Sequence, residues 1–180
     1  MLLKRFGIDF ICQPAEIDET IFPSENPIEA VKRLAKMKAD NVADSFGTGI
    51  VVAADTIVVY NGEILGQPMS KDDAYEKLSV LSGQSHDVIT PICVKDIAGD
   101  SFAIETEITK VYFRKISCEE ILSYIDTGEP MDKAGAYGIQ GIGAIFVEKI
   151  EGCFFNVVGL PLGKLSLILK QYGVDLLKEY

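Results

Sequence analysis

Apolar residues recur every three or four positions in several stretches of the chain, and they alternate or cluster in the stretches between. The first helical pattern opens at Asn26-Pro27. Asn26 is the expected N-cap, Pro27 takes the first helical position, and Glu29 completes a capping box. Ile28, Val31, Leu34 and Val42 then fall along one side. A second helix starts after Ser70, carries Ala74, Leu78 and Leu81 inward, and stops at Ser82-Gly83. Ser117 with Glu120 predicts a third, with Ile121, Leu122 and Ile125 as its apolar positions and Gly128 as its stop. The fourth runs over about 161–172 through Leu162, Leu165 and Leu169, with Gly173 after it.

The intervening segments read as strands. Residues 50–60 are rich in β-branched side chains, and Asn61-Gly62 predicts a hairpin turn into 63–65. Further strands are expected over 88–94, over the long alternating run 102–116, over 142–150 and over 154–158. Helices and hairpins interleave, which predicts an α/β fold with a mixed sheet and flanking helices rather than a purely parallel sheet.

With 180 residues the chain fits a single domain, or one domain in two lobes, and can bury a core without disulfide staples. A net charge of −10 argues against nucleic acid as a partner, because backbone binding needs a basic face. An anionic small substrate would need locally placed lysine or arginine, or a divalent cation, to overcome the overall field. The four cysteines, Cys12, Cys93, Cys118 and Cys153, are scattered, and His86 is the lone histidine, so a Cys/His zinc site is not expected. The cysteines read as reduced core thiols. No apolar run approaches the roughly 18 residues of a membrane span, and the N-terminus has no signal-peptide pattern. The expectation is a cytoplasmic protein without membrane partners.

Several segments offer chemistry. Asp55 lies inside the apolar run Val51-Val52-Ala53-Ala54-Asp55-Thr56-Ile57-Val58-Val59. An unpaired buried charge costs several kcal/mol, so Asp55 needs a metal, a cation or backbone donors; either a functional acid or a structural buried acid satisfies that. The segment Asp132-Lys133-Ala134-Gly135-Ala136-Tyr137-Gly138-Ile139-Gln140-Gly141 combines glycines with Lys133 and Gln140. It suits a phosphate or a base edge, and it equally suits a glycine-rich turn. On the first helix, Arg33, Lys36 and Lys38 read as a solvated face, except that Lys38 lies near the apolar stripe and can reach into a cleft. Glu16-Ile17-Asp18-Glu19 supplies either helix-dipole partners or hard oxygen ligands for Mg²⁺ or Mn²⁺. His86 reads as structural, and there is no G-x-S-x-G elbow.

Taken together these segments resemble the Maf-like family of nucleoside triphosphate pyrophosphatases. The carrying residues are Arg33-Leu34-Ala35 with Lys38-Ala39, Ala54-Asp55-Thr56 with Gly62, and Ile64-Leu65-Gly66 with Pro68. Next come Leu81-Ser82-Gly83 with His86, Gly128-Glu129-Pro130, the run 132–141, and Val158-Gly159-Leu160-Pro161. The resemblance spans 2–162 and implies one Maf-like domain over 1–180, with an elongated sheet and two lobes around a cleft. It implies hydrolysis of the α–β phosphoanhydride of a nucleoside triphosphate, with a divalent cation, Mg²⁺ or Mn²⁺. It implies Asp55 as general base and Glu19 as an acidic residue of the cleft, and the chemistry of the reaction adds Asp55 with Glu19 as metal ligands. Lys38 matches a basic residue of the cleft, and Thr56 and Gln140 match positions tied to substrate selection; on physical grounds Lys38 with Lys133 could neutralise phosphate charge. The Ile139-Gln140-Gly141 ending resembles the branch acting on dTTP and UTP.

Two departures accompany the resemblance. Met1-Leu2-Leu3 sits where the family has Glu-Leu-Leu, after a strand and a Ser-x-Ser-Pro-Arg-Arg loop, so that strand and loop are expected to be missing. Gln67 stands where the family usually has lysine. Charge-assisted phosphate bonds are about twice as strong as neutral ones. Weak turnover, or a nucleotide-binding regulatory role, is therefore the alternative to an active enzyme. The sheet edge that the strand would have bordered is expected to be covered by rearranged N-terminal residues or by a second copy in a homodimer.

Overall fold

The computed structural model describes residues 2–22 and 25–178. Helices α1 (Pro27–Ala43), α2 (Lys71–Leu81), α3 (Cys118–Asp126), α4 (Phe154–Val158) and α5 (Leu162–Gln171) alternate with strands β1 (Ile50–Ala54), β2 (Ile57–Tyr60), β3 (Glu63–Leu65), β4 (Ser85–Asp96), β5 (Ser101–Phe113) and β6 (Val147–Glu151). Among the described residues the sheet has six strands in the order β3-β2-β4-β5-β6, and β1 pairs with β4. The β1·β4, β2·β3, β2·β4 and β5·β6 pairings are antiparallel. The chain divides into two compact units, residues 1–55, 91–106 and 160–180 forming the first and residues 56–90 and 107–159 the second.

In the first unit the sheet is buried from both faces, which explains its near-continuous apolar runs. Val51 and Ala53 of β1, with Cys93 and Ile104, pack against Ala35 and Ala39 of α1. The alternate residues Ile50 and Val52, with Ile92 and Val94, meet Leu165, Ile168 and Leu169 of α5. The buried side of α1 is built largely from Ala30, Ala35, Ala39 and Ala43 around Val31 and Leu34, so small residues carry a stripe expected from larger ones. The second unit packs α2 and α3, through Leu78, Leu81, Ile121 and Ile125, with Val58, Val88, Val111, Phe113 and Phe146.

Caps fall where the sequence places them, with one exception. Asn26 accepts from the N–H groups of Ile28 and Glu29, Ser70 from Asp73, and Ser117 and Glu120 form a reciprocal capping box. Glu29, however, bonds Lys32 instead of closing a box on Asn26. The single strand expected over 50–60 is broken at Asp55 and Thr56, opposite Pro91 of β4. Ala54 pairs with Ile92 and Ile57 with Ile89. Between these pairs Asp55 donates its N–H to Pro91 O at 3.4 Å, and proline has no N–H to return, so the ladder lapses.

The strand expected over 154–158 is instead α4. Gly152 and Gly159, at φ +129° and +111°, turn the chain on either side of it, and a short apolar run has no periodicity that separates strand from helix. Residues 142–146 form a 3-10 turn ahead of β6, because the N–H groups of Ile142 and Gly143 are taken by the Glu129 carboxylate. No disulfide joins the cysteines, but only Cys93 is a core thiol; Cys12 and Cys118 are exposed and Cys153 is half-buried.

His86 is structural. It is 2% exposed, its Nε2 lies 2.8 Å from the Tyr137 hydroxyl, and its ring meets Phe113 and Tyr137 edge-on. Burial outweighs the nearby Asp87 and lowers its pKa from 6.5 to about 4. The unfolded chain takes up this proton near pH 6.5 and the folded chain only near pH 4. The stability His86 contributes is therefore complete above pH 6.5 and is lost as pH falls toward 4. Between pH 7 and 4.5 the wild type should lose about 2 kcal/mol more than His86→Gln. Urea unfolding of both proteins at the two pH values reads this, and parallel losses would show that His86 is not the titrating group.

Candidate functional site

The lysine, glutamate and aspartate singled out in the sequence meet in the first unit. Lys38 Nζ lies 2.9 Å from Glu19 Oε2 and 3.2 Å from Asp55 Oδ1. Asp55 comes from the end of β1 and Lys38 from the turn of α1 that also carries Ala35 and Ala39. Glu19 belongs to an extended segment pinned along α1. Glu16 N donates to Asn41 Oδ1 at 3.0 Å, Arg33 Nη2 donates to Thr20 O at 3.0 Å, and Thr20 donates to Asp18 through both its N–H and its hydroxyl. Asp18 is thus engaged locally, while Glu19 is left to reach Lys38. Arg33 is also structural, holding Glu25 through Nε and Nη2, both at 2.8 Å. Burial alone would lower the pKa of Lys38, but the contacts with Glu19 and Asp55 outweigh it and hold the pKa above its ordinary value. The amine is an ammonium at neutral pH.

Lys38 also reaches the wall of a cavity of about 1340 Å³ within this unit, lined by residues 7–15, by β1, and by Leu160 and Leu169 among others. Among the described residues β1 is paired with β4 alone, and segment 7–15 shares the cavity wall with it.

Thr56, Lys133 and Gln140 belong to the second unit. The Thr56 hydroxyl is 2.9 Å from that of Thr90. Lys133 Nζ donates to Glu129 O at 3.0 Å and to Asp132 Oδ1 at 2.6 Å, and Gln140 is exposed in a turn. The glycine-rich run is organised by Glu129. Its carboxylate accepts from Ile142 N at 2.8 Å, Gly143 N at 3.0 Å and the Tyr124 hydroxyl at 2.9 Å. Burial opposes its charge, yet the N–H groups of Gly143 and Ile142 win and hold the carboxyl below the usual range. A side chain is excluded at two glycines here. A Cβ at Gly135, whose φ is +67°, would lie 2.9 Å from Val58 Cγ2, and one at Gly141 would lie 2.3 Å from Glu129 Oε1.

Among the described residues no group of three or more His, Cys, Asp or Glu side chains is gathered for a metal ion. Asp55 and Glu19 offer two carboxylates around one ammonium. That set cannot enclose an ion alone, but it fits a hard cation that brings phosphate and water oxygens, as Mg²⁺ does with one or two carboxylates. Such an ion would be held by the two carboxylates that Lys38 already contacts.

Reading the residues did not single out Thr90, Asn156 or the anchoring part played by Glu129. The signal was present as polar residues within apolar runs, Thr90 in Val88-Ile89-Thr90-Pro91 and Asn156 in Phe154-Phe155-Asn156-Val157-Val158. Such residues must find buried partners.

Comparison with known proteins agrees over nearly the whole chain. The family model described as Maf-like protein matches residues 1–172. A protein of Syntrophomonas wolfei named dTTP/UTP pyrophosphatase is 52% identical over 178 residues, covering 99% of this chain and 94% of its own length. Proteins of the same name from Clostridium tetani and Methanosarcina barkeri are 48% and 45% identical, covering 97% and 99% of this chain and 93% and 91% of their own lengths.

Glu129→Gln keeps the shape but turns an amide NH₂ toward backbone donors. An unsatisfied buried partner costs roughly 1–3 kcal/mol, so this variant should melt lower and exchange the Ile142 and Gly143 amides faster than the wild type. Unchanged protection at those two amides would remove Glu129 as the loop's anchor.

Proposed function

Because the chain belongs to the Maf-like protein family, we propose that it hydrolyses the α–β phosphoanhydride of dTTP, UTP or modified pyrimidine triphosphates. One water is consumed, and a nucleoside monophosphate and pyrophosphate are released. The observation that supports this most is the Lys38–Glu19–Asp55 cluster, with Lys38 at 2.9 and 3.2 Å from the two carboxylates, in a chain so similar to proteins named dTTP/UTP pyrophosphatase.

In this reading Asp55 orients the attacking water and accepts its proton, while Glu19 and Lys38 arrange the charge around the phosphates. A divalent cation, Mg²⁺ or Mn²⁺, would supply further positive charge at the phosphate oxygens from Asp55 and Glu19. Lys38 places its ammonium between the two carboxylates, and it would be available to a phosphate oxygen if Asp55 and Glu19 held a cation. Thr56, Lys133 and Gln140 would contact the nucleotide. A second reading, nucleotide binding with weak turnover, is favoured by Gln67, an exposed neutral side chain where the family usually places lysine. The proposal includes a cytoplasmic setting, consistent with four cysteines that form no disulfide. No described helix is long and apolar enough to cross a membrane. It also includes a homodimer, which sedimentation velocity would test.

The decisive measurement is pyrophosphate release across nucleoside triphosphates with Mg²⁺ or Mn²⁺. Release from dTTP and UTP is expected, and Asp55→Asn should cut it by roughly 10²–10⁴, the range for a lost general base. Binding without release by the wild type would support the second reading, and full activity in a folded Asp55→Asn would remove Asp55 from the chemistry. A separate test concerns the cation. A unit charge at 4 Å is worth about 1 kcal/mol even in water, so Lys38→Met should bind Mn²⁺ roughly ten-fold more tightly than the wild type without nucleotide. An electron paramagnetic resonance titration reads this, and equal affinities would show that Lys38 and the ion do not compete.

A further inference from the structure

Behind Thr56 lies a buried polar chain in the second unit. Thr90 and Asn156 are both 0% exposed. Thr90 Oγ1 is 2.9 Å from Thr56 Oγ1 and 3.3 Å from the Asn156 backbone carbonyl. Asn156 is itself fixed, because its amide donates to Val88 O at 2.9 Å and to Thr109 Oγ1 at 3.0 Å. The Asn156 carbonyl also accepts from Gly159 N at 2.9 Å, which leaves its second lone pair for Thr90.

A hydroxyl owns one proton and two lone pairs. If Thr90 gave its proton to Thr56, its oxygen would face the Asn156 carbonyl at 3.3 Å with no hydrogen between two buried acceptors. Giving the proton to the carbonyl removes that repulsion and leaves Thr90 to accept from Thr56. The Thr56 proton is then committed inward, and its oxygen has only lone pairs left to offer. Thr56 is half-buried rather than enclosed. The neighbouring Gly159 has no side chain to cover it; a Cβ there would lie 3.6 Å from Thr56 Oγ1.

We propose that Thr90 is a positioning residue that fixes Thr56 as an acceptor only, so that the site selects nucleotides whose base offers an imide N–H over those offering a ring-nitrogen lone pair. The inference rests on the pyrophosphatase reading and deepens it. Uracil and thymine share the N3–H donor; cytosine presents an acceptor at the same place. Thr90→Val frees the Thr56 hydroxyl to rotate and donate, so it weakens the preference for uracil over cytosine. Thr90→Ser retains the proton path.

The test is kcat/KM for UTP, CTP, 3-methyl-UTP and 3′-deoxy-UTP with the wild type, Thr90→Val, Thr90→Ser and Thr56→Val. The wild type should prefer UTP over CTP and over 3-methyl-UTP. Thr90→Val should shrink the UTP:CTP ratio by roughly ten-fold, the scale of one buried hydrogen bond. Thr90→Ser should restore the ratio, and Thr56→Val should shrink it as Thr90→Val does. A purely structural role for Thr90 would lower both substrates together and leave the ratio unchanged, which overturns the proposal. Should Thr90→Val fail to fold, an unchanged ratio in Thr56→Val overturns it equally. Sensitivity to 3′-deoxy-UTP in place of 3-methyl-UTP moves the donor to the sugar and overturns the assignment to the imide. A wild type that hydrolyses UTP and CTP alike defeats this inference while the pyrophosphatase reading stands. One that hydrolyses neither UTP nor dTTP defeats both.

Discussion

Pro91 sits in the middle of a strand that is buried almost from end to end, and it cannot return a hydrogen bond to the residue opposite. That one missing donor interrupts the ladder at Asp55 and Thr56. On either side of the gap the chain is β-branched and closely packed. Within the gap the carboxylate and the hydroxyl are tolerated because each finds a partner, Lys38 for Asp55 and Thr90 for Thr56. The same two positions mark where the chain leaves the first compact unit and enters the second. The proline therefore sets where the strand run divides.

Charge decides how such an acid survives. A carboxylate at the end of an apolar strand needs compensation, and Lys38 supplies it. One ammonium between two carboxylates leaves the cluster negative by one charge, an arrangement that attracts a second cation more than it attracts a phosphate. In a chain whose net charge is −10, a phosphate-bearing ligand would be repelled by the long-range field unless it arrived with counter-ions. The cluster is consistent on both counts with a ligand that brings a divalent ion along.

Much of this was legible beforehand, for identifiable reasons. Caps are local rules, so Asn26, Ser70 and Ser117 could be placed from a few neighbouring residues. Asp55 stood out because charge inside a β-branched run has few explanations, and Lys38 because of its place beside the helix stripe. The short helix at Phe154–Val158 was hidden because five apolar residues carry no period. The turn at 142–146 was hidden because its backbone donors are claimed by Glu129, thirteen or fourteen residues earlier in the chain. Thr90 and Asn156 were visible as polar interruptions, but their partners are 34 and 66 residues away from Thr90. No local pattern announces a partner at that distance. Pro91 was readable from the start, and its meaning depended on knowing which residue it faced.

Strand parity gives the two neighbouring side chains their separate tasks. Successive residues of a strand point to opposite faces. Val51 and Ala53 face α1, and Asp55 keeps that parity, which carries its carboxylate to Lys38 on the same helix. Ile50 and Val52 face α5. Thr56 has their parity, and in the second unit its hydroxyl turns to Thr90. The assignment depends on the register being held to a single residue, since a slip by one would exchange the faces. The pairing of β1 with β4 and the alanines of α1 hold it. Ala35 and Ala39 pack with Val51 and Ala53, and Lys38 on the same helix reaches Asp55 at the strand end. The register of β1 thereby determines which of two adjacent polar residues meets the ammonium and which meets the buried hydroxyl chain.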